Sequence, residues 1–260
     1  MRNVVVILAG GSGQRFGAEL PKQFLPLAGK TVIEHSVEAF ERCEAIDEIA
    51  VVMHPDHIDA MQRIIDRNGW SKVRKLLSGG AERYLSTLAA INAYRDLDDV
   101  NLILHDAARP AVSQRIVNDV VTALQTHSAV AVAIPATDTV FEVSDDGTTI
   151  TAIPDRKRLR NAQTPQAFRL DILQDAYNKA MKDNDFTCTD DCGVLLRYRP
   201  DIPIHLISGD ITNRKLTYPE DTTLLEKTLT LNPKTITHHS TVRLPVTRNR
   251  RPALSVYSMM

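Results

Sequence analysis

Apolar residues along the chain recur in two periods. Short β-branched runs at residues 3–8, 49–53, 73–77, 100–104 and 130–134 read as strands, and positions spaced three and four apart between them predict helices over 31–43, 56–67, 85–94 and 114–125. Thr31 and Glu34 stand at capping-box spacing where the first helix begins. Strand alternating with helix, with crossovers long enough to be right-handed, predicts an α/β fold: a mostly parallel sheet with helices on both faces. The rhythm breaks over 136–160, where strand-like 140–143 and 149–153 flank Asp145-Asp146-Gly147, a hairpin turn signal; this segment reads as an inserted β-arm. Helical periodicity resumes at 170–181 and 191–197, a strand fits 204–207, and a last helix fits 219–229 with Pro219 in the allowed first turn.

One domain over 1–230 absorbs these elements. Beyond it, Lys234, Arg243, Arg248, Arg250 and Arg251 occur with no acidic residue and no sustained period, so 231–260 reads as a loosely ordered basic tail. Over the whole chain 31 Lys and Arg face 32 Asp and Glu, which leaves no global basic field for nucleic acid; phosphate binding has to be local. No apolar run approaches the roughly 18 residues that span a bilayer, and Met1 leads straight into a strand without a charged-then-apolar leader, which predicts a cytoplasmic protein without membrane insertion. Three cysteines are too few for a disulfide framework.

In open α/β sheets ligands gather at the carboxyl ends of the strands. Three segments there are unusual. After the first strand comes Leu8-Ala9-Gly10-Gly11-Ser12-Gly13-Gln14-Arg15, followed by Pro21-Lys22-Gln23; glycines let backbone N–H groups encircle phosphate oxygens, and Arg15 and Lys22 add charge. Phe16 breaks the dinucleotide fingerprint and no Gly-Lys-Ser/Thr follows, so a nicotinamide site and a Walker loop are both disfavoured. After the third strand, Gly79-Gly80 leads into a helix N-terminus that carries Ser86. After the fourth comes His105-Asp106-Ala107-Ala108-Arg109-Pro110: Asp106 suits Mg²⁺ between phosphates, though the motif alone also admits pairing with Arg109 or capping of the next helix. Together the three segments predict a nucleotide-phosphate pocket. Cys188 and Cys192 beside Asp190 and Asp191 read as a helix start rather than a metal site.

These motifs, with Gln163-Thr164-Pro165-Gln166 and Asn213-Arg214-Lys215-Leu216-Thr217, resemble the cytidylyltransferases that activate sugar-alcohol phosphates, the methylerythritol-phosphate and ribitol-phosphate enzymes, over roughly residues 3–230. The resemblance implies a Rossmann-like nucleotide-diphospho-sugar transferase fold, CTP and a polyol phosphate as substrates, Mg²⁺ or another divalent cation, and a homodimer joined through the arm. It places cytidine against Leu8, Ala9, Gly10, Gly11, Ser12, Gly13, Gly80, Ser86 and Ala107, and assigns catalytic Arg15, Lys22 and Lys215 to the triphosphate. Asp106 would serve Mg²⁺ and the acceptor, and Thr139 and Arg156 on the arm would grip the acceptor phosphate. An acceptor phosphate oxygen would attack the α-phosphorus in line, without a covalent enzyme.

Within that family, methylerythritol enzymes usually carry Lys two residues after the arm's Asp-Thr, where this chain has Phe141. The sequence therefore leans toward D-ribitol 5-phosphate and cell-surface polymer synthesis, with 2-C-methyl-D-erythritol 4-phosphate and isoprenoid synthesis as the alternative, and a silent nucleotide-binding scaffold as a reading of another class. Some ribitol enzymes carry a reductase domain; a separate polyol-phosphate reductase is then an expected partner.

Overall fold

The computed structural model describes residues 1–11, 21–80 and 82–231, with the backbone of Ser255–Tyr257. The tail expected over 231–260 lies outside the described residues except for Leu231 and that short strand. Strand β1 (Arg2–Ala9) leads through a 3-10 turn, Lys22–Phe24, and a small hairpin of β2 (Pro26–Leu27) and β3 (Lys30–Thr31) into α1 (Val32–Glu41). Then β4 (Glu48–Met53), α2 (Ile58–Asn68), β5 (Val73–Ser78), α3 (Arg83–Tyr94), β6 (Val100–Asp106), α4 (Gln114–Ala123) and β7 (Ala129–Pro135) repeat the strand–helix unit. The arm follows as β8 (Glu142–Val143) and β9 (Ile150–Ala152), and the chain returns through β10 (Arg160–Arg169), α5 (Leu170–Ala180), α6 (Asp191–Tyr198), β11 (His205–Ser208), α7 (Asp221–Leu231) and β12 (Ser255–Tyr257). Among the described residues no helix is long and apolar enough to cross a membrane.

The main sheet runs β11-β7-β10-β6-β1-β4-β5-β12, and every pairing is parallel except those of β10. Its faces are sorted by the two-residue period of a strand. From β1, Val5, Ile7 and Ala9 enter a core shared with Phe40 of α1 and Ile116 of α4, while Val4, Val6 and Leu8 enter a second core with Ile91 of α3 and Leu173 of α5. Both faces are covered, which is why the central strands are apolar almost without interruption. The start of α1 is fixed as its sequence spacing predicts: the Glu34 carboxylate accepts the Thr31 N–H at 2.8 Å. The same carboxylate also accepts from Arg67 at 2.7 Å and Asn68 at 2.8 Å, pinning the end of α2 beside it.

No periodicity in the sequence marks 160–169 as a strand, yet the chain forms one there. β7, the arm and β10 form one long hairpin, with Arg160 opposite Pro135, and β10 slots antiparallel between β7 and β6. Proline and a run of polar residues argue against a central strand, because proline cannot donate to the ladder. β10 accommodates Pro165 at a register shift between Gln163 and Gln166, and buries Gln163, Thr164 and Gln166 by giving each a partner. Gln163 donates to the Asp210 carbonyl at 2.8 Å, and Gln166 donates to the Asp190 carboxylate at 2.7 Å. The arm turns where Asp-Gly predicts: Gly147 has φ +71°, and the Ser144 N–H donates to the Thr149 carbonyl at 2.9 Å. It exposes Val140, Phe141, Val143, Ile150 and Ile153.

Candidate functional site

An open cleft of about 550 Å³ lies at the carboxyl ends of β1 and β6. Leu8, Ala9, Gly10 and Gly11 form one wall, Asp106, Ala107 and Ala108 the floor beside it, and Lys22, Ser86 and Lys215 reach in from three other segments. Nine of the fifteen residues expected at the site therefore meet in one place. Gly80 backs this wall: a Cβ on Gly10 would lie 2.6 Å from Ser86 Oγ and 3.5 Å from the Gly80 carbonyl, so glycine at position 10 is what lets the two loops close on each other. Ser12, Gly13 and Arg15 lie outside the described residues. Thr139 and Arg156 are exposed on and below the arm and do not line the cleft; Arg156 donates to the Thr137 carbonyl at 2.8 Å.

Besides Ala108, two residues without an expected role line the cleft, Gln23 and Arg83. Gln23 is buried and its amide donates to the Ala9 carbonyl at 3.0 Å, which ties the Lys22 turn to the end of β1. Arg83, at the first turn of α3, places Nε 3.6 Å from Asp106 Oδ1 and pairs through Nη1 with Asp191. Each residue stands inside a motif, but its partner is distant in sequence.

The electrostatic centre of the cleft is Asp106. Lys215 Nζ donates to its Oδ2 at 2.8 Å, and Arg109 Nε lies 3.7 Å from the same oxygen. Of the readings that the motif admits, pairing with Arg109 is therefore present, with Lys215 and Arg83 added. Burial alone would raise the Asp106 carboxyl, but Lys215, then Arg83 and Arg109, outweigh it and hold the group well below the usual carboxylate range. Lys22 Nζ donates to the Leu216 carbonyl at 3.2 Å, which brings a fourth cation to the same rim. Lys22, Arg83, Arg109 and Lys215 outnumber Asp106 and Asp191, a surplus suited to a polyanion such as a triphosphate.

The turn bearing Asp106 is held from beneath. Thr164 Oγ1 accepts the Asp106 N–H at 3.1 Å and lies 3.0 Å from His105 Nδ1; Nε2 of the same ring is 3.0 Å from the Arg109 carbonyl. One arrangement of protons satisfies all three contacts: the Thr164 hydroxyl donates to Nδ1, and Nε2–H donates to Arg109. His105 is thereby a neutral brace across the turn, and burial pushes its imidazole down to about 4. The Leu216 N–H donates to the Ala108 carbonyl at 2.7 Å and Arg109 donates to the Asn213 carbonyl at 2.8 Å, so the Lys215 loop is laced to the same turn.

This donor set does not fit a divalent cation held by the protein. Among the described residues Asp106 is the carboxylate that lines the cleft, both its oxygens face cations, and the nearby Asp191 is fully buried with donors of its own. Among the described residues no group of three or more potential metal ligands occurs. Asp190 instead caps α6, accepting the Gly193 N–H at 2.8 Å.

Comparison with known proteins bears on the same cleft-bearing region. Residues 3–231 match the family model of 2-C-methyl-D-erythritol 4-phosphate cytidylyltransferase. The chain is 44% identical over 232 residues to the 2-C-methyl-D-erythritol 4-phosphate cytidylyltransferase of Thermobifida fusca, covering 88% of this chain and 93% of that protein. It is 40% identical over 228 residues to the bifunctional ribulose 5-phosphate reductase/CDP-ribitol pyrophosphorylase Bcs1 of Haemophilus influenzae, covering 87% of this chain and 48% of that protein. Among solved structures, 4-diphosphocytidyl-2C-methyl-D-erythritol synthase from Anaerococcus prevotii superposes with a TM-score of 0.75 at 27% identity, over 88% of this chain and 98% of that one. The chain belongs to the 2-C-methyl-D-erythritol 4-phosphate cytidylyltransferase family and is a nucleotidyltransferase that uses CTP.

Proposed function

From that membership we propose that the acceptor is 2-C-methyl-D-erythritol 4-phosphate and the products are its cytidine diphosphate ester and pyrophosphate. The observation that carries this choice is the 44% identity to the Thermobifida fusca enzyme across nearly its whole length, together with the family match over 3–231. It weighs against the ribitol lean of the sequence, for which Phe141 on the arm is one mark. The Haemophilus influenzae relative keeps ribitol 5-phosphate as the second reading.

In this reaction an oxygen of the acceptor phosphate attacks the α-phosphorus of CTP, the bond to the bridging oxygen breaks, and that oxygen leaves with its electron pair on pyrophosphate. No protein nucleophile is needed; positioning and charge neutralisation carry the rate. The walls of β1 and Ser86 seat the nucleoside, while Lys22 and Lys215 face the phosphates. Asp106 holds Lys215 in its starting position. Arg15 keeps the role expected of it; the exposed apolar arm joins a second copy of the chain, and Thr139 and Arg156, outside this chain's own cleft, would meet the acceptor phosphate in the second copy's site. Among the described residues, a divalent cation required for turnover would not find its ligands.

The test uses acceptor carrying ¹⁸O in its phosphate. One cytidine diphosphate ester should form per pyrophosphate, with label in the ester and none in the pyrophosphate. Label in pyrophosphate, or pyrophosphate without ester, would overturn the scheme.

A further inference from the structure

We propose that Arg83 is a positioning residue for cytidylyl transfer, one that fixes the orientation of Asp106 from a buried anchor at Asp191. The inference rests on the reaction proposed above. Asp191 is fully buried and immobilised by Tyr177 OH at 2.7 Å and Thr87 Oγ1 at 2.8 Å, besides its pair with Arg83 Nη1. The Gln166 side chain accepts the Asp191 N–H at 3.2 Å, so β10 holds the backbone of this anchor as well. A guanidinium is planar and rigid, so one edge locked on Asp191 determines where the other edge points. That other edge carries Nε, 3.6 Å from Asp106 Oδ1.

The remaining cations at Asp106 are tied differently. Lys215 sits on a loop with its side chain 40% exposed, and Arg109 is held by backbone carbonyls. When Lys215 turns to a phosphate, Oδ2 loses its 2.8 Å partner, while the Oδ1 side stays fixed through Arg83. Arg83 Nη2 is buried without a partner. A buried unpaired donor is costly to keep, and a lysine would avoid it; what arginine supplies and lysine lacks is a fork reaching two carboxylates at once.

A double-mutant cycle tests this, together with the structure of one variant. Arg83→Met and Asp106→Asn should each lower kcat 30-fold or more, the double variant should be no worse than the poorer single, and KM for CTP should move less than about threefold in Arg83→Met. Arg83→Lys should recover less than a tenth of the lost rate. In crystals of Arg83→Met, the Asp106 carboxylate should rotate away from its wild-type orientation. Multiplicative losses, full rescue by lysine, or an unmoved Asp106 would each overturn the proposal. The crystallographic arm needs no turnover, so inactivity of the wild type toward the proposed acceptor refutes the acceptor and leaves Arg83 to be judged on Asp106.

Discussion

Gly10 has room for a hydrogen and nothing more. Its alanine variant would place a methyl 2.6 Å from Ser86 Oγ, so the nucleoside wall has to open; KM for CTP should rise tenfold or more in steady-state kinetics, with the fold retained. Lys22→Ala removes a charge aimed at the phosphates and should cut kcat by about two orders of magnitude, while a thermal melt stays within a few degrees of the wild type. His105 makes a pH prediction. The unfolded imidazole takes a proton near pH 6.5 and the folded one only near 4, so the unfolded state binds more protons in that window and stability falls as pH drops through it. The loss attributable to His105 is about 3 kcal/mol once pH is below 4. His35, also lowered by burial, acts in the same direction, so the measurement is a difference. Denaturant-derived stability of wild type minus His105→Asn should decline between pH 6.5 and 4; a flat difference would remove the brace from the account.

Whether an element can be read in advance depends on whether its signal is local. Thr31 with Glu34, and Asp146 with Gly147, declare a helix start and a hairpin within a few residues, and both form. β10 gives no such signal: Gln163, Thr164 and Gln166 are satisfied by Asp210, His105 and Asp190, partners that only the folded chain supplies, and Pro165 speaks against a central strand. The arm carries a prediction of its own. Phe141, Val143, Ile150 and Ile153 expose apolar surface that a second copy would cover. The proposed dimer predicts that the wild type sediments as a dimer and that replacing Phe141 and Ile153 together by aspartate gives a monomer in sedimentation velocity, with the sheet intact by circular dichroism; a monomeric wild type, or an unchanged sedimentation coefficient in the variant, would contradict an arm-joined dimer.

At the scale of the molecule, the parallel sheet with two covered faces follows from the apolar strands, and the cleft follows from the rule that ligands collect at strand carboxyl ends. Leu8 to Gly11, Lys22, Ser86, Asp106 and Ala107 are legible because glycine, charge or small residues coincide with a strand end in their motifs, whereas Lys215 follows only from the family resemblance. Arg83 and Gln23 stood in the same motifs without a legible role, since Asp191 and the Ala9 carbonyl that give them one are brought near only by folding. Acceptor choice is the least legible feature: Phe141 and the stretches 135–139, 163–168 and 213–217 lean toward ribitol phosphate, whereas identity over the whole length favours the methylerythritol phosphate proposed above. The most direct test of the central claim is pyrophosphate release from CTP, with 2-C-methyl-D-erythritol 4-phosphate and ribitol 5-phosphate offered in parallel. With methylerythritol phosphate as acceptor, its kcat/KM should be at least a hundredfold the higher; equal or greater turnover of ribitol 5-phosphate would overturn that assignment.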